Sequence, residues 1–254
     1  MILNVFHWLT SSAHWRNQHG SSGIATQLQA HMTYSFVAVL IALVIALPLG
    51  LFIGHTGRGT VVVTAANTLR ALPTVGVLVL LTVMISPNFH GRTDFGYLIP
   101  TEIVLVLLAV PPILSNTYAG VQNVSGAARD AAFAMGMTGG QVLRLVEFPN
   151  SLPLIFSGLR SATLQVIATA TIASYLPLGG LGRFIYDGLA QQDFPQMIGG
   201  GVLVALLALA SDFVLAVIQR YAVSRGVSGR FSTTSIIAGG PATADIVQAE
   251  VAAV

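Results

Sequence analysis

The chain has 254 residues, 54% of them apolar and only 8% charged, with a formal net charge of +2. A soluble domain carries about 25% charged residues, so the composition points to lipid as the solvent, and the small charge gives no footprint for nucleic acid. Cysteine and lysine are both absent, which excludes a disulfide frame or cysteine metal site, Schiff-base chemistry and a Walker A loop, whose lysine holds the phosphates.

Residues 1–30 read as an interfacial segment. Phe6, Trp8 and Trp15 are side chains of the kind that sit at headgroup level. Residues 1–20 lack a clean apolar core behind a basic start, so targeting is expected from the first membrane helix. Ile24–His31 suits a short amphipathic helix leading inward. Apolar runs of about 20 residues, the length that crosses a bilayer, then recur along residues 31–223. The first span is read at Tyr34–Ile53, with Pro48 near its end. The second runs over Thr60–Ile85, interrupted by Arg70 and Pro73, as one kinked helix or two pieces. The third covers Leu98–Gly120 and is expected to break at Pro111-Pro112. A polar island succeeds it over residues 121–150. The fourth span is Ser151–Leu176, a loop runs from Pro177 to Pro195, and the fifth span is Gln196–Tyr221. Residues 224–254 are rich in Ser, Thr, Gly and Ala and read as a flexible tail. The fold class is therefore all-α, a polytopic helical membrane protein with about five transmembrane helices.

The island is punctuated by glycine and must lie outside the hydrocarbon, where irregular backbone would leave polar groups unpaired. Ser125 is placed to cap a short helix over 126–135. Ala127, Ala128, Ala131, Ala132 and Ala134 keep that helix slim, so another protein can approach it closely. Gly136 permits a sharp exit. Thr138 and Gln141 have the form of a capping box opening a second helix, on which Val142, Leu145 and Val146 share one face, with Arg144 and Glu147 flanking it. Pro149 and Pro153 suit the first turn of the next helix.

Asp130, Ala131, Ala132, Gly136, Val146, Phe148 and Pro149 fall on the spacing Glu-Ala-Ala, three residues, Gly, nine residues, Ile-x-Leu-Pro. That pattern resembles the cytoplasmic coupling loop of ABC-importer permeases, with Asp130 in place of the usual Glu, Val146 of the Ile and Phe148 of the Leu. Asn67–Thr74, Pro111–Tyr118, Gly158 with Arg160, and Gly179–Gly188 resemble the permeases of the glycine betaine, carnitine and choline group in particular. The resemblance covers residues 27–225. It implies a type I ABC-importer permease (MetI-like) fold, with Asp130, Ala131, Ala132, Gly136, Glu147 and Pro149 as the ATPase-coupling residues. It also implies cytoplasmic ATP-binding subunits, an external substrate-binding protein, and a second permease copy or paralogue. No cofactor, metal or catalytic residue is implied, since ATP hydrolysis belongs to the partner chain.

With the island inside, Arg58, Arg129, Arg144, Arg220, Arg225 and Arg230 are cytoplasmic, against Arg16, Arg92 and Arg183 outside. This arginine bias predicts an inner-membrane protein with its N-terminus out and C-terminus in. Asn67, Asn116, Tyr118, Gln165 and Thr169 are candidates for the translocation path, although such residues also serve as packing contacts between helices. Asp212 is the one acid read clearly inside a span; such a carboxylate is a functional candidate, and a structural pairing is the favoured role. No aromatic cage for a quaternary ammonium is identifiable. Competing readings are an ABC permease for an amino acid such as methionine, or an ATP-independent secondary carrier, which often shows internal repeats and several buried charges. A membrane enzyme is disfavoured: the six histidines have no metal-ligand spacing, and no nucleophile elbow occurs.

Overall fold

The computed structural model describes residues 2–17, 22–89 and 94–223. The predicted tail at 224–254 lies outside the described residues. Helices α1 (Ile2–Thr10) and α2 (Ser12–Trp15) precede the long α3 (Ile24–Thr56). Helix α4 (Thr60–Thr68) passes through a tight turn at Leu69–Ala71 into α5 (Thr74–Ile85), and α6 covers Phe95–Gln122. Then come α7 (Gly126–Ala134), α8 (Gly139–Val142), α9 (Phe148–Ala173), α10 (Gly182–Gln191) and α11 (Phe194–Ala222).

Ile24–Thr56, Phe95–Gln122, Gly139–Ala173 and Phe194–Ala222 are each long and apolar enough to cross a bilayer. Thr60–Ala71 and Thr74–Asn88 qualify only as a pair, bent by 91°. The bend has a local cause. Proline pushes its predecessor out of helical geometry, and Leu72 before Pro73 is extended at φ −71°, ψ 135°.

Whether this bent pair crosses the membrane is decided by its neighbours. Ala38, Ala42, Ala46, Gly50 and Gly54 recur every four residues along α3, and all are buried. Cβ atoms built on Gly50 and Gly54 would lie 2.7 Å from the Cβ atoms of Thr117 and Val121 on α6. Small residues of this kind let membrane helices approach closely. Both contacts advance in the same chain direction, so α3 and α6 are parallel. The chain leaves α3 at one membrane face and enters α6 at the other, so the bent pair between them carries it back. The helical layer therefore makes five crossings.

Helix α6 is the centre of the layer. Its α9 side is as tight: a Cβ on Gly120 would come 2.8 Å from Ser151 Cβ, and one on Gly158 2.7 Å from Asn116 Cβ. These contacts run in opposite directions, so α9 is antiparallel to α6. The break expected at Pro111-Pro112 does not occur. Both prolines lie inside a continuous helix and are buried; there, neighbouring helices and side chains take up the freed backbone groups. The stretch expected as a loop over 177–195 contains α10, which folds back on α11.

At the end of the layer opposite the island, α3 holds the chain that leaves α9. Gly180 N–H donates to Gln27 Oε1 at 2.6 Å, and Leu181 N–H to His31 Nδ1 at 3.3 Å. With Nδ1 accepting, the His31 proton sits on Nε2 and faces Ile167 O at 3.1 Å. Gly179 and Gly180, at φ +81° and +111°, make the turn that presents these amides.

Candidate coupling site

The polar island folds into two short helices and a wide turn that runs directly into α9. Ser125 Oγ accepts Ala128 N–H at 3.3 Å and opens α7. Gly136 ends the segment at φ +85°, a conformation glycine reaches without the Cβ penalty. Thr138 and Gln141 form a capping box, with Thr138 N–H donating to Gln141 Oε1 at 2.8 Å.

The face expected from Val142, Leu145 and Val146 is not formed. Val142 is buried, but Leu145 is largely exposed. The reason is a π-turn over Leu143–Glu147. One extra residue in the turn rotates the side chains beyond it by about 100°, so Leu145 swings outward and Glu147 swings in. Glu147 was expected on the flank; it is 2% exposed.

A buried carboxylate needs partners, and Glu147 has two from distant segments. His55, at the end of α3, places Nδ1 2.6 Å from Oε2. Arg129, on α7, places Nε 2.9 Å from Oε1. That N–H is not aimed along the carboxylate, so the contact is a charge pairing rather than a hydrogen bond. The Arg129 head group also donates to Val121 O at the end of α6. The start of α8 abuts the same imidazole: a Cβ on Gly139 would lie 3.3 Å from His55 Nε2. One ionic cluster therefore ties α7 and the π-turn to the ends of α3 and α6.

Asp130, Ala131 and Gly136 lie on the exposed side of this unit, with Phe133 and Met135 beside them. Ala132 is buried against the island's interior, and Pro149 occupies the first turn of α9. The outward side of α7 is thus largely apolar and singly charged, while its inward side is fixed by Arg129 and Ala132. Sequence reasoning did not select Arg129 and His55 for this role. Their partner lies 92 residues from His55, a separation that no local pattern encodes.

The path candidates are dispersed. Asn67 Oδ1 accepts from Ser115 Oγ at 3.1 Å on an exposed edge between α4 and α6. Asn116 donates to Pro112 O one turn back, at 2.8 Å. Tyr118 packs against the core of α3, α6 and α9. Thr169 lines a narrow crevice with Leu78, Thr101 and Val104, and Gln165 is half-buried on α9. Asp212 is paired: Arg160 donates from Nε and a terminal nitrogen to its two oxygens, both at 2.7 Å. A second acid also lies within a span, contrary to the sequence reading: Glu102 on α6 has Oε2 buried with no hydrogen-bond partner among the described residues.

The model of the family described as binding-protein-dependent transport system inner membrane component matches residues 46–226. The chain is 34% identical over 200 residues to the glycine betaine/carnitine/choline transport system permease protein OpuCB of Bacillus subtilis, covering 78% of this chain and 88% of that one. It is 35% identical to the osmoprotectant import permease protein OsmY of Salmonella typhimurium, over 74% and 77% of the two chains. The fold is similar to that of the inward-facing MetNI methionine ABC transporter, with a TM-score of 0.69 at 21% identity, covering 79% of this chain and 96% of that one. The chain belongs to the binding-protein-dependent inner membrane component family, as a multi-pass permease subunit of an ABC importer homologous to the osmoprotectant permeases, and is a transport component rather than an enzyme.

Proposed function

We propose that this permease imports osmoprotectants of the quaternary ammonium class: glycine betaine, choline, carnitine or proline betaine. The observation that carries the reading is the identity of about one third, across most of the chain, to permeases named for glycine betaine, carnitine and choline in Bacillus, for carnitine in Listeria and for osmoprotectants in Salmonella. ATP-binding subunits dock on the cytoplasmic side against Asp130, Ala131, Ala132 and the Gly136 turn. A binding protein delivers solute to the opposite face, and a second permease copy or paralogue completes the path, to which Asn67, Asn116, Tyr118, Gln165 and Thr169 are assigned. The N-terminus is outside and the C-terminus cytoplasmic, the orientation supported by arginine bias. Residues 1–30 lie at the outer interface, and residues 31–223 form the permease domain around the coupling loop at 121–150.

In this scheme closure of the ATPase pair displaces α7. Its displacement reaches α3 through Glu147 and His55, α6 through Arg129, and α9 through Pro149. The scheme needs no chemistry in this chain, only a stiff link between the docking helix and the spans.

Uptake by proteoliposomes holding the chain, its ATPase and its binding protein tests the reading. Labelled glycine betaine, choline or carnitine should accumulate with ATP, and methionine should not. Gly136→Asp should insert normally and abolish uptake. Accumulation of methionine alone, or uptake that continues without ATP, would overturn the assignment.

A further inference from the structure

The outward stripes of α3 and α9 have opposite chemistry. On α3 the exposed positions repeat every four residues as Met32, Phe36, Leu40, Val44, Pro48 and Phe52, all apolar and mostly large. On α9 they are Ser157, Ser161, Leu164, Ala168 and Ile172, spaced three or four residues apart, with small and hydroxylated residues over the first half. A helix shows lipid a continuous band of bulky apolar side chains. Membrane helices keep small and hydroxyl side chains for faces that meet protein or water.

The Arg160–Asp212 pair gives a second, independent reason. Arg160 lies 12 residues into α9, and Asp212 lies 10 residues before the end of α11. At about 1.5 Å per residue, both sit some 15–18 Å from their helix ends, near the middle of a hydrocarbon core about 30 Å thick. Their side chains remain 35% and 28% exposed. Ionised groups at that depth face a bundle interior or a water-filled cavity rather than lipid. Ser157 and Ser161 flank Arg160 on the same helix, so the exposed hydroxyls and the exposed charge belong to one face.

We propose that this face of α9, Ser157, Ser161 and Ala168 with the Arg160–Asp212 pair beside it, is a wall of the water-filled translocation path. The stripe from Met32 to Phe52 on α3 is a lipid face. The bidentate pairing leaves the wall with no net charge. A solute carrying both a quaternary ammonium and a carboxylate finds dipoles there, and no single charge to trap it. Conduction requires binding weak enough for release. The proposal rests on the importer reading and adds which surface of the chain the solute passes.

The chain contains no cysteine, so single cysteines can be read without removing others. The full transporter, reconstituted with its ATPases, would carry Ser157→Cys, Ser161→Cys or Ala168→Cys, with Phe36→Cys, Leu40→Cys and Val44→Cys as controls. The probe is a membrane-impermeant methanethiosulfonate bearing a trimethylammonium head. The cysteine thiolate attacks its sulfenyl sulfur, forming a mixed disulfide and releasing methanesulfinate. Rates are measured without ATP and in a vanadate-trapped state, against the cysteine content of the partner chains. Thiol reaction tracks exposure to water, so the α9 cysteines should react at least about tenfold faster than the α3 controls in one of the two states. Modification of Ser161→Cys should then block uptake. Equal, slow rates on both helices in both states would overturn the proposal. So would a spontaneous disulfide between two Ser161→Cys copies that excludes the probe, which would make the face a dry seam. Labelling is read without solute, so an error in the osmoprotectant assignment changes uptake specificity and leaves these rates untouched.

Discussion

Two ionic clusters among the described residues contrast in exposure. At the coupling end, Glu147 is 2% exposed and bound by His55 and Arg129, each 24% exposed. At mid-span, Arg160 and Asp212 hold each other in a bidentate pair about one third exposed on both sides. The buried cluster joins segments that would otherwise have little to hold them in register: the end of one span, a short surface helix and a π-turn. The mid-span pair joins two long helices already packed along their length. Burial makes the first cluster a fastener, because a charge withdrawn from water tolerates only one arrangement of partners. Exposure makes the second a surface feature, informative about what lies opposite.

The largest effect should come from breaking the fastener. Glu147→Ala leaves Arg129 and His55, both still partly open to water, without their shared acceptor, and loss of such a charge-assisted contact costs about 1.5–3 kcal/mol. Thermal unfolding of the purified variant should show the loss, and ATP-driven uptake should fall with it. Glu147→Gln, which keeps the shape and an acceptor, should lose distinctly less. Combining Glu147→Ala with Arg129→Ala should recover part of the cost, with a coupling energy of about 1–3 kcal/mol. Strict additivity would mean that the two side chains do not act together.

Next in size is the exit turn. Gly136 sits at φ +85°, and a Cβ built there meets nothing within 4 Å. The cost of Gly136→Ala is therefore backbone strain alone, about 1–2 kcal/mol, with no clash. Uptake should fall by more than the stability loss accounts for, because the turn sets the angle of α7. A variant that loses stability but retains full uptake would detach the turn from coupling. Ser125→Ala removes a single cap whose distance, 3.3 Å, is already long. It should cost about 0.5–1 kcal/mol, read as faster amide exchange at the start of α7.

These sizes track what the sequence could show. Ser125, Gly136 and the Thr138–Gln141 box were legible because caps and turns are local: each needs particular residue types within a few positions. The five crossings were legible because lipid demands a long apolar run whatever the tertiary contacts. The inward turn of Glu147 was not legible. A π-turn shifts the register by one residue, and a pattern of apolar positions assumes the regular period. Nor could periodicity show α6 running unbroken through Pro111 and Pro112, since the groups that accommodate a proline come from neighbouring helices. Asp212 is legible as a charge inside a span, with a structural pairing as its expected role. Its partner Arg160, 52 residues away, emerged only once α9 and α11 were laid antiparallel. Glu102 passed unnoticed because one carboxylate barely dents the hydropathy of the 28-residue helix around it.

The smallest expected effect discriminates most. Asp212→Ala leaves Arg160 unpaired near the middle of the membrane. If that guanidinium faced lipid, its exposure there would cost about 3 kcal/mol on insertion-based scales. If it faces water, the lost pair is worth the little that exposed ion pairs are worth, because water takes over the hydrogen bonds. The aqueous-wall reading therefore predicts a nearly unchanged unfolding midpoint together with altered transport, since an unpaired positive charge would now line the path. A cationic solute such as choline should slow more than zwitterionic glycine betaine, and the difference should shrink as salt screens the new charge. A large fall in midpoint with unchanged solute preference would place the pair against lipid or in a dry seam, and would erase the contrast between the two clusters.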